Sequence, residues 1–217
     1  MSMIDLPKTL PIFRVKSTIL MPHAQLPVTM SEGDYVEIAP EIVENNIVAI
    51  VQPRPVFERK KKQKILESSF NIGCAGRIMD VNFLDREVTM TIQGLCRFDV
   101  VSYAEMTNGV AERVVVDYDR YIIDTVEEID CFEFNKDRLM NALDVYFKNL
   151  EIFPNWKEIR KTPADVLVSA LAMACPLHPS EKQSLLETVD IKERSDMITK
   201  IIEMNSRDMY NTASTVN

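Results

Sequence analysis

Near Asp117 the hydrophobic pattern of this chain changes period, from two residues to roughly 3.6. In REVTMTIQG, Val88, Met90 and Ile92 face one way, and Thr89, Thr91 and Gln93 face the other. That alternation fits a half-buried strand. Beyond Asp117, Leu139, Leu143, Tyr146, Phe147 and Leu150 recur at spacings of three and four, which places them on one helical face. Strands first and helices afterwards predict an α+β fold, not an alternating α/β one. The expected division is a β-rich part over residues 1–117, a helical bundle over 118–210, and a disordered tail over 211–217.

The β part begins with the short strand LPIFRV, Leu10 to Val15. Ser31 and Asp34 then form a capping-box-like helix start, with Tyr35, Ile38, Ile42 and Val43 on one face and a kink or two short turns expected at Pro40. IVAIVQ (Ile47 to Gln52) reads as a buried strand, and Pro53 to Ser68 as a long loop. Three strands follow. Ile72, Cys74, Gly76 and Ile78 share a face of the first, and Asn82 to Asp85 turns into the second. Gly94 separates the second from the third as a bulge or corner, and Cys96, Phe98 and Val100 alternate along the third. Val110 to Val116 makes one more strand. The glycine-free, charged stretch Asp117 to Asp124 is expected to be a tight junction.

Four helices are predicted in the second half. Pro154 stops the first. Thr162 as N-cap, Pro163 at N1 and Asp165 in the first turn start the second, with Val166, Leu167, Ala170, Leu171 and Ala174 on one face. Ser180 and Gln183 form a capping box ahead of Leu185, Leu186 and Val189. Asp190 and Glu193 start a last helix bearing Ile191, Ile198, Ile201 and Ile202.

Composition and motifs exclude several chemistries. The 217 residues carry a net charge of −8, and the one basic run, Arg59 to Lys64, follows two prolines and has no interleaved aromatic. It reads as a solvated loop, and no nucleic-acid partner is expected. No apolar run near the N-terminus approaches the roughly 18 residues of a membrane helix, and MSMIDLPKTLP lacks the pattern of a signal peptide. A cytoplasmic protein without a membrane partner is expected. The five glycines precede Asp34, Cys74, Arg77, Leu95 and Val110, so no Gly-Lys P-loop exists, and G-x-G-x-x-G is absent too. Cys74, Cys96, Cys131 and Cys175 are widely spaced, without C-x-x-C, and read as small buried hydrophobes. His23 and His178 adjoin prolines and have no metal-ligand set around them. No catalytic, cofactor-binding or metal residue is assigned. The short spacing of Cys175 and His178 keeps a thiol enzyme as an alternative.

The order of motifs resembles a known family. LPIFRVKSTILMPHAQLPV is similar to the opening of the Lon protease N-terminal domain. IGCAGRI and TIQGLCRF resemble its paired strand signature. ADVLVSALAMACPLHPSEKQSLLETVDIKERSDMITKII resembles its helical region, through Lys182, Gln183, Leu185, Leu186, Glu187, Asp190 and Arg194. The resemblance covers roughly Leu10 to Glu203. It implies a PUA-like, barrel-type β subdomain followed by a helical bundle subdomain. It also implies a non-catalytic module that binds other proteins or unfolded polypeptide segments at exposed apolar stretches, or acts as an adaptor in protein quality control. The ATPase and the serine-lysine peptidase of full-length Lon proteases are absent from these residues, so a stand-alone recognition module is expected, with a homodimer left open. The departures are the missing glycine in the turn Leu84, Asp85, Arg86, and Pro40 in the first helix. The candidate protein-contact residues on loops are Met21, His23, Phe57, Tyr103 and Met106. A PUA-like RNA binder is a second alternative, which the acidic charge disfavours.

Overall fold

The computed structural model describes residues 6–42, 46–54, 69–104, 112–125 and 135–214. Six strands are present: β1 (Thr9–Arg14), β2 (Gln25–Ser31), β3 (Ile47–Val51), β4 (Ile72–Leu84), β5 (Glu87–Ala104) and β6 (Arg113–Asp117). They form one sheet in the order β2-β5-β4-β3-β1-β6, and β5 also pairs with β6. This second pairing closes β1, β3, β4, β5 and β6 into a barrel-like ring, with β2 added outside it on the first half of β5. Only β1 and β3 pair in parallel, and helix α1 (Glu32–Ile42) lies between them in the chain. Ser31 Oγ accepts the Asp34 N–H at 3.1 Å, so the expected cap starts α1. Pro40 sits in the last turn and leaves α1 as one element ending at Ile42. Little helix remains there for a missing N–H to break. Tyr35, Ile38 and Ile42 pack inward as expected. Val43 lies outside the described residues.

The second and third predicted strands are one strand, β5, of 18 residues, bent at Gly94. Gly94 pairs with Gly76, and Cys96 pairs with Ala75, so Leu95 is the extra residue of a bulge. A Cβ on Gly94 would collide with the Met21 carbonyl, so the turn above it can close only over glycine. The bulge also moves the strand from one core to another. Val88, Met90 and Ile92 belong to a smaller cluster with α1, whereas Cys96 and Phe98 belong to a larger one. β4 behaves similarly: Ile72 joins the larger cluster, while Cys74 and Ile78 join the smaller, so they do not share one environment. β3 is buried on both faces, with Ile47, Ala49 and Val51 in the larger core and Val48 and Ile50 in the smaller. The β4–β5 hairpin turns at Asp85 and Arg86, later than expected. Asp85 supplies φ 54 there, and aspartate tolerates that left-handed conformation.

The larger cluster runs without a break into the helices: Leu139, Leu143, Tyr146, Leu167, Val168, Leu171, Leu185, Ile198 and Ile202 all belong to it. Among the described residues the helical half has five helices, α2 (Lys136–Asn149), α3 (Trp156–Lys161), α4 (Ala164–Ala174), α5 (Pro179–Glu187) and α6 (Ile191–Ser214). α3 was not expected, because its six residues are too few for a periodic signal. Its presence changes the caps. Thr162 ends α3, its Oγ1 donating to the Glu158 carbonyl at 2.9 Å, and Pro163 occupies the N-cap of α4. α2 ends at Asn149, ahead of Pro154, and Glu151 takes φ 57. His178, not Ser180, caps α5, in a reciprocal box with Glu181. Asp190 Oδ1 accepts the Glu193 N–H at 2.8 Å, as the sequence predicts.

Of the resembling residues, Gln183 fastens the helical half to the barrel, and Lys182 ties α5 to α4 within the helical half. Gln183 Nε2 donates to the Ile72 carbonyl of β4 at 3.0 Å, and Lys182 Nζ donates to the Met173 carbonyl at 2.6 Å. From the barrel side, Gln52 Nε2 donates to the Pro179 carbonyl at 2.7 Å. Each gives a buried or half-buried carbonyl a side-chain donor.

Candidate functional site

Where barrel, junction and helices meet, an arginine pair is buried. Arg97, on β5 just past the bulge, is 1% exposed. Its Nε and Nη2 donate to the two oxygens of Asp124 at 2.8 and 2.7 Å, a bidentate pair, and its backbone N–H donates to the same carboxylate at 2.9 Å. Its Nη1 reaches the carbonyls of Leu186 (3.0 Å) and Thr188 (2.6 Å) at the end of α5. Arg194 of α6 converges on the same turn, donating to the carbonyls of Leu185 and Thr188. Burial and the nearby Arg97 charge push Arg194 down to about 10, so it stays charged at neutral pH. Asp124 thus pairs with Arg97, while Arg194 beside it is bonded through the backbone carbonyls of Leu185, Thr188 and Val189.

Asp124 belongs to a 3-10 segment, Asp119–Thr125. In that geometry residues three apart lie on one side. Tyr121 and Asp124 are both turned inward and buried. The Tyr121 ring lies under the Arg97 guanidinium at 4.6 Å. Ile122 and Ile123 must then point outward, and they are 52% and 57% exposed. The expected tight junction is therefore present, and it carries two isoleucines into solvent.

These isoleucines form one wall of a groove of about 520 Å³, within the ~300–1,000 Å³ typical of ligand sites. The starts of α4 and α6 also line it, through Asp165, Val166 and Ser169, then Val189, Asp190 and Glu193. Arg97, Asp124 and Arg194 lie beneath, and the turn Pro22 to Ala24 closes one end. Val166 and Val189 were expected on packed faces. Val166 is half-exposed because α4 packs through Leu167, Val168, Leu171 and Ala172, a face rotated from the expected one that leaves Ala170 and Ala174 outside. Val189 is turned out because its neighbours' carbonyls are held by the two arginines.

Of the candidate contact residues, only His23 lines this groove. It takes φ 61, and its N–H donates to the Gly94 carbonyl at 3.0 Å, so the bulge glycine positions the turn. Met21 is fully buried in the larger core and offers no surface, a correction to its reading as a loop contact. Tyr103 is half-buried near the end of β5, against β6 and away from the groove lining. Phe57, Met106 and the basic run lie outside the described residues. No methionine lines the groove among the described residues: Met21, Met90 and Met140 are core, and Met79 and Met204 are exposed elsewhere. Sequence reasoning missed Ile122 and Ile123, although two adjacent isoleucines in a charged, glycine-free junction are a usable signal.

Among the described residues the thiols are not activated. Burial pushes Cys96 up to about 12 and Cys175 up to about 11, and Cys74 also rises well above its ordinary value, chiefly through burial. A reactive thiol needs the opposite shift. His178 Nδ1 is engaged by Ser180 at the start of α5, as a helix cap. The Cys175–His178 alternative therefore has no support in the geometry. Among the described residues, no helix is long and apolar enough to cross a membrane.

The comparisons with known proteins agree with this architecture. A family model described as the ATP-dependent protease La (LON) substrate-binding domain matches residues 9–204. A Lon protease of Dictyoglomus thermophilum is 23% identical over 210 residues, covering 90% of this chain and 24% of its own length. A Lon protease of Anaeromyxobacter dehalogenans is 21% identical over 200 residues, covering 91% and 23%. The chain thus spans about a quarter of the curated relatives it matches, and the match falls on the substrate-binding domain, not on a catalytic one. In fold it is similar to a Lon N-terminal domain protein from Xanthomonas campestris (TM-score 0.58, 17% identity, 88% of this chain and 96% of that one). It is also similar to the N-terminal domain of a Mycobacterium avium complex Lon protease (TM-score 0.56, 19% identity, 90% and 98%). With the family model covering nearly the whole chain, this protein belongs to the LON substrate-binding domain family.

Proposed function

We propose that this chain is a non-catalytic protein-binding module that takes exposed apolar segments of other proteins into the groove between the 3-10 junction and the starts of α4 and α6. In this reading residues 1–117 and 118–210 act as two subdomains, and the module serves as an adaptor in cytoplasmic protein quality control. One observation carries it: four aliphatic side chains, Ile122, Ile123, Val166 and Val189, are 37–57% exposed around one concavity. Isolated exposed aliphatics need no explanation, but a convergent set across three separate elements presents a surface that gains from being covered. The buried arginine clamp beneath keeps the walls at a fixed separation, so little ordering cost falls on binding.

The test measures binding of a fluorescently labelled, permanently unfolded polypeptide to the full chain by anisotropy. Saturable binding that falls at least tenfold in the Ile123→Asp, Val166→Asp double variant supports the reading. Phe153→Asp serves as control, since Phe153 is 91% exposed and outside the groove. Absence of saturable binding, or loss with Phe153→Asp but not with the double variant, overturns it.

A further inference from the structure

The groove lining is apolar at Ile122, Ile123, Val166 and Val189, and acidic at Asp165, Asp190 and Glu193 on the starts of α4 and α6. Asp165 lies in the first turn of α4, Glu193 lies in the first turn of α6, and Asp190 precedes α6. Among the described residues, neither Asp165 nor Glu193 has an ion-pair partner, and Asp190 spends one oxygen on the Glu193 N–H. Carboxylates at helix starts complement the helix dipole, but that dipole supplies only about half a positive charge per helix end. α6 alone meets two carboxylates with it. The exposed cation in the lining, Arg120, is already engaged: Asp99 lies 3.7 Å away, its guanidinium lies 5.1 Å from the Tyr121 ring, and it donates to the Glu187 carbonyl at 3.4 Å. The two deeper arginines are buried, with Asp124 and backbone carbonyls around them. The charge that an occupant meets without a partner is therefore negative.

We infer that the groove selects apolar segments that carry a lysine or arginine beside the apolar anchor, the basic side chain lying along the helical wall toward Asp165 and Glu193. The inference rests on the groove being the binding site proposed above. The physical reason is complementarity: filling the groove removes water from the rim, which strengthens an opposite-charge pair and penalises an acidic flank. Exposed pairs of this kind are individually weak, so selection comes from two carboxylates acting together and from repulsion of the wrong sequence.

The test uses three peptides sharing one apolar core and flanked by Lys, Ser or Glu, titrated into the full chain by fluorescence anisotropy. The Lys-flanked peptide is expected to bind about tenfold more tightly than the Glu-flanked one at low salt, and the ratio is expected to fall below about twofold near 0.5 M salt. In the Asp165→Asn, Glu193→Gln variant the low-salt ratio is expected to approach one, with the thermal midpoint showing that the fold is kept. Equal binding of all three peptides, with sensitivity to Ile123→Asp, overturns the charge selection and leaves the apolar groove standing. A Lys preference that survives the double variant also overturns it, assigning the effect to the overall charge of −8. Binding of none of the peptides removes the groove reading and this one together.

Discussion

Two pairs of neighbours in the 3-10 junction have opposite fates. Tyr121 and Asp124 are buried against the arginine clamp, and Ile122 and Ile123 between them stand in solvent. Hydrophobicity alone would reverse this, hiding the isoleucines and exposing the aspartate. The inversion shows that the floor and the rim of the groove answer to different demands. The floor spends a buried ion pair on fixing how barrel and helices meet, at a desolvation cost that apolar residues would not carry. The rim keeps aliphatic surface uncovered, which contributes nothing to the isolated fold.

The comparison breaks most decisively at the floor. Arg97→Met leaves Asp124 buried without its partner and should cost about 3–5 kcal/mol. Urea unfolding checks this, and a loss below about 1 kcal/mol would mean the clamp is not holding the halves. Gly94→Ala should cost about 1–3 kcal/mol, because the added methyl displaces the Met21 carbonyl and with it the His23 end of the groove. A neutral result would show that the turn adapts freely. At the rim, Ile123→Asp should leave unfolding stability within about 0.5 kcal/mol, since it removes no packed contact. A large drop in the urea midpoint would place Ile123 with the floor.

The smallest effect is expected at the thiols. Cys96 and Cys175 are held protonated, and their folded values of about 12 and 11 lie above the ordinary 9.0. The neutral form is thus the stabilised one, and this stabilisation is present below pH 9 and lost as pH rises toward 11 to 12. Site-resolved alkylation of the native protein at pH 8 should be negligible at both. Rapid labelling of Cys175 would reopen thiol chemistry beside His178.

The legible part of the fold came from patterns that local physics enforces. Val88, Met90 and Ile92 alternate because a strand alternates, and all three are fully buried. Asp190 and Ser31 cap helices because their oxygens reach an N–H three residues on. The errors lie where a distant partner decided. Thr162 has the right side chain for an N-cap, but α3 claims it as its own end. Val166 fits a helical stripe, but α4 is rotated by what its other face packs against. Met21 sits just before Pro22 in a loop-like stretch, yet the turn folds back on Gly94 and carries it into the core.

Sequence by itself determined the α+β order, the caps with nearby donors, the bend at Gly94, the absence of phosphate-binding glycines and the motif order of the family. All of these are set within a few residues of chain, or by spacing along it. Only the tertiary structure decided that Arg97, Asp124 and Arg194 form one buried clamp, across separations of 27 residues for Arg97–Asp124 and 91 for Arg97–Thr188. It also decided that Ile122, Ile123, Val166 and Val189 share a groove. Exposure is a property of neighbours, and those neighbours are brought together by the closure of β5 on β6 and by one core running through both halves.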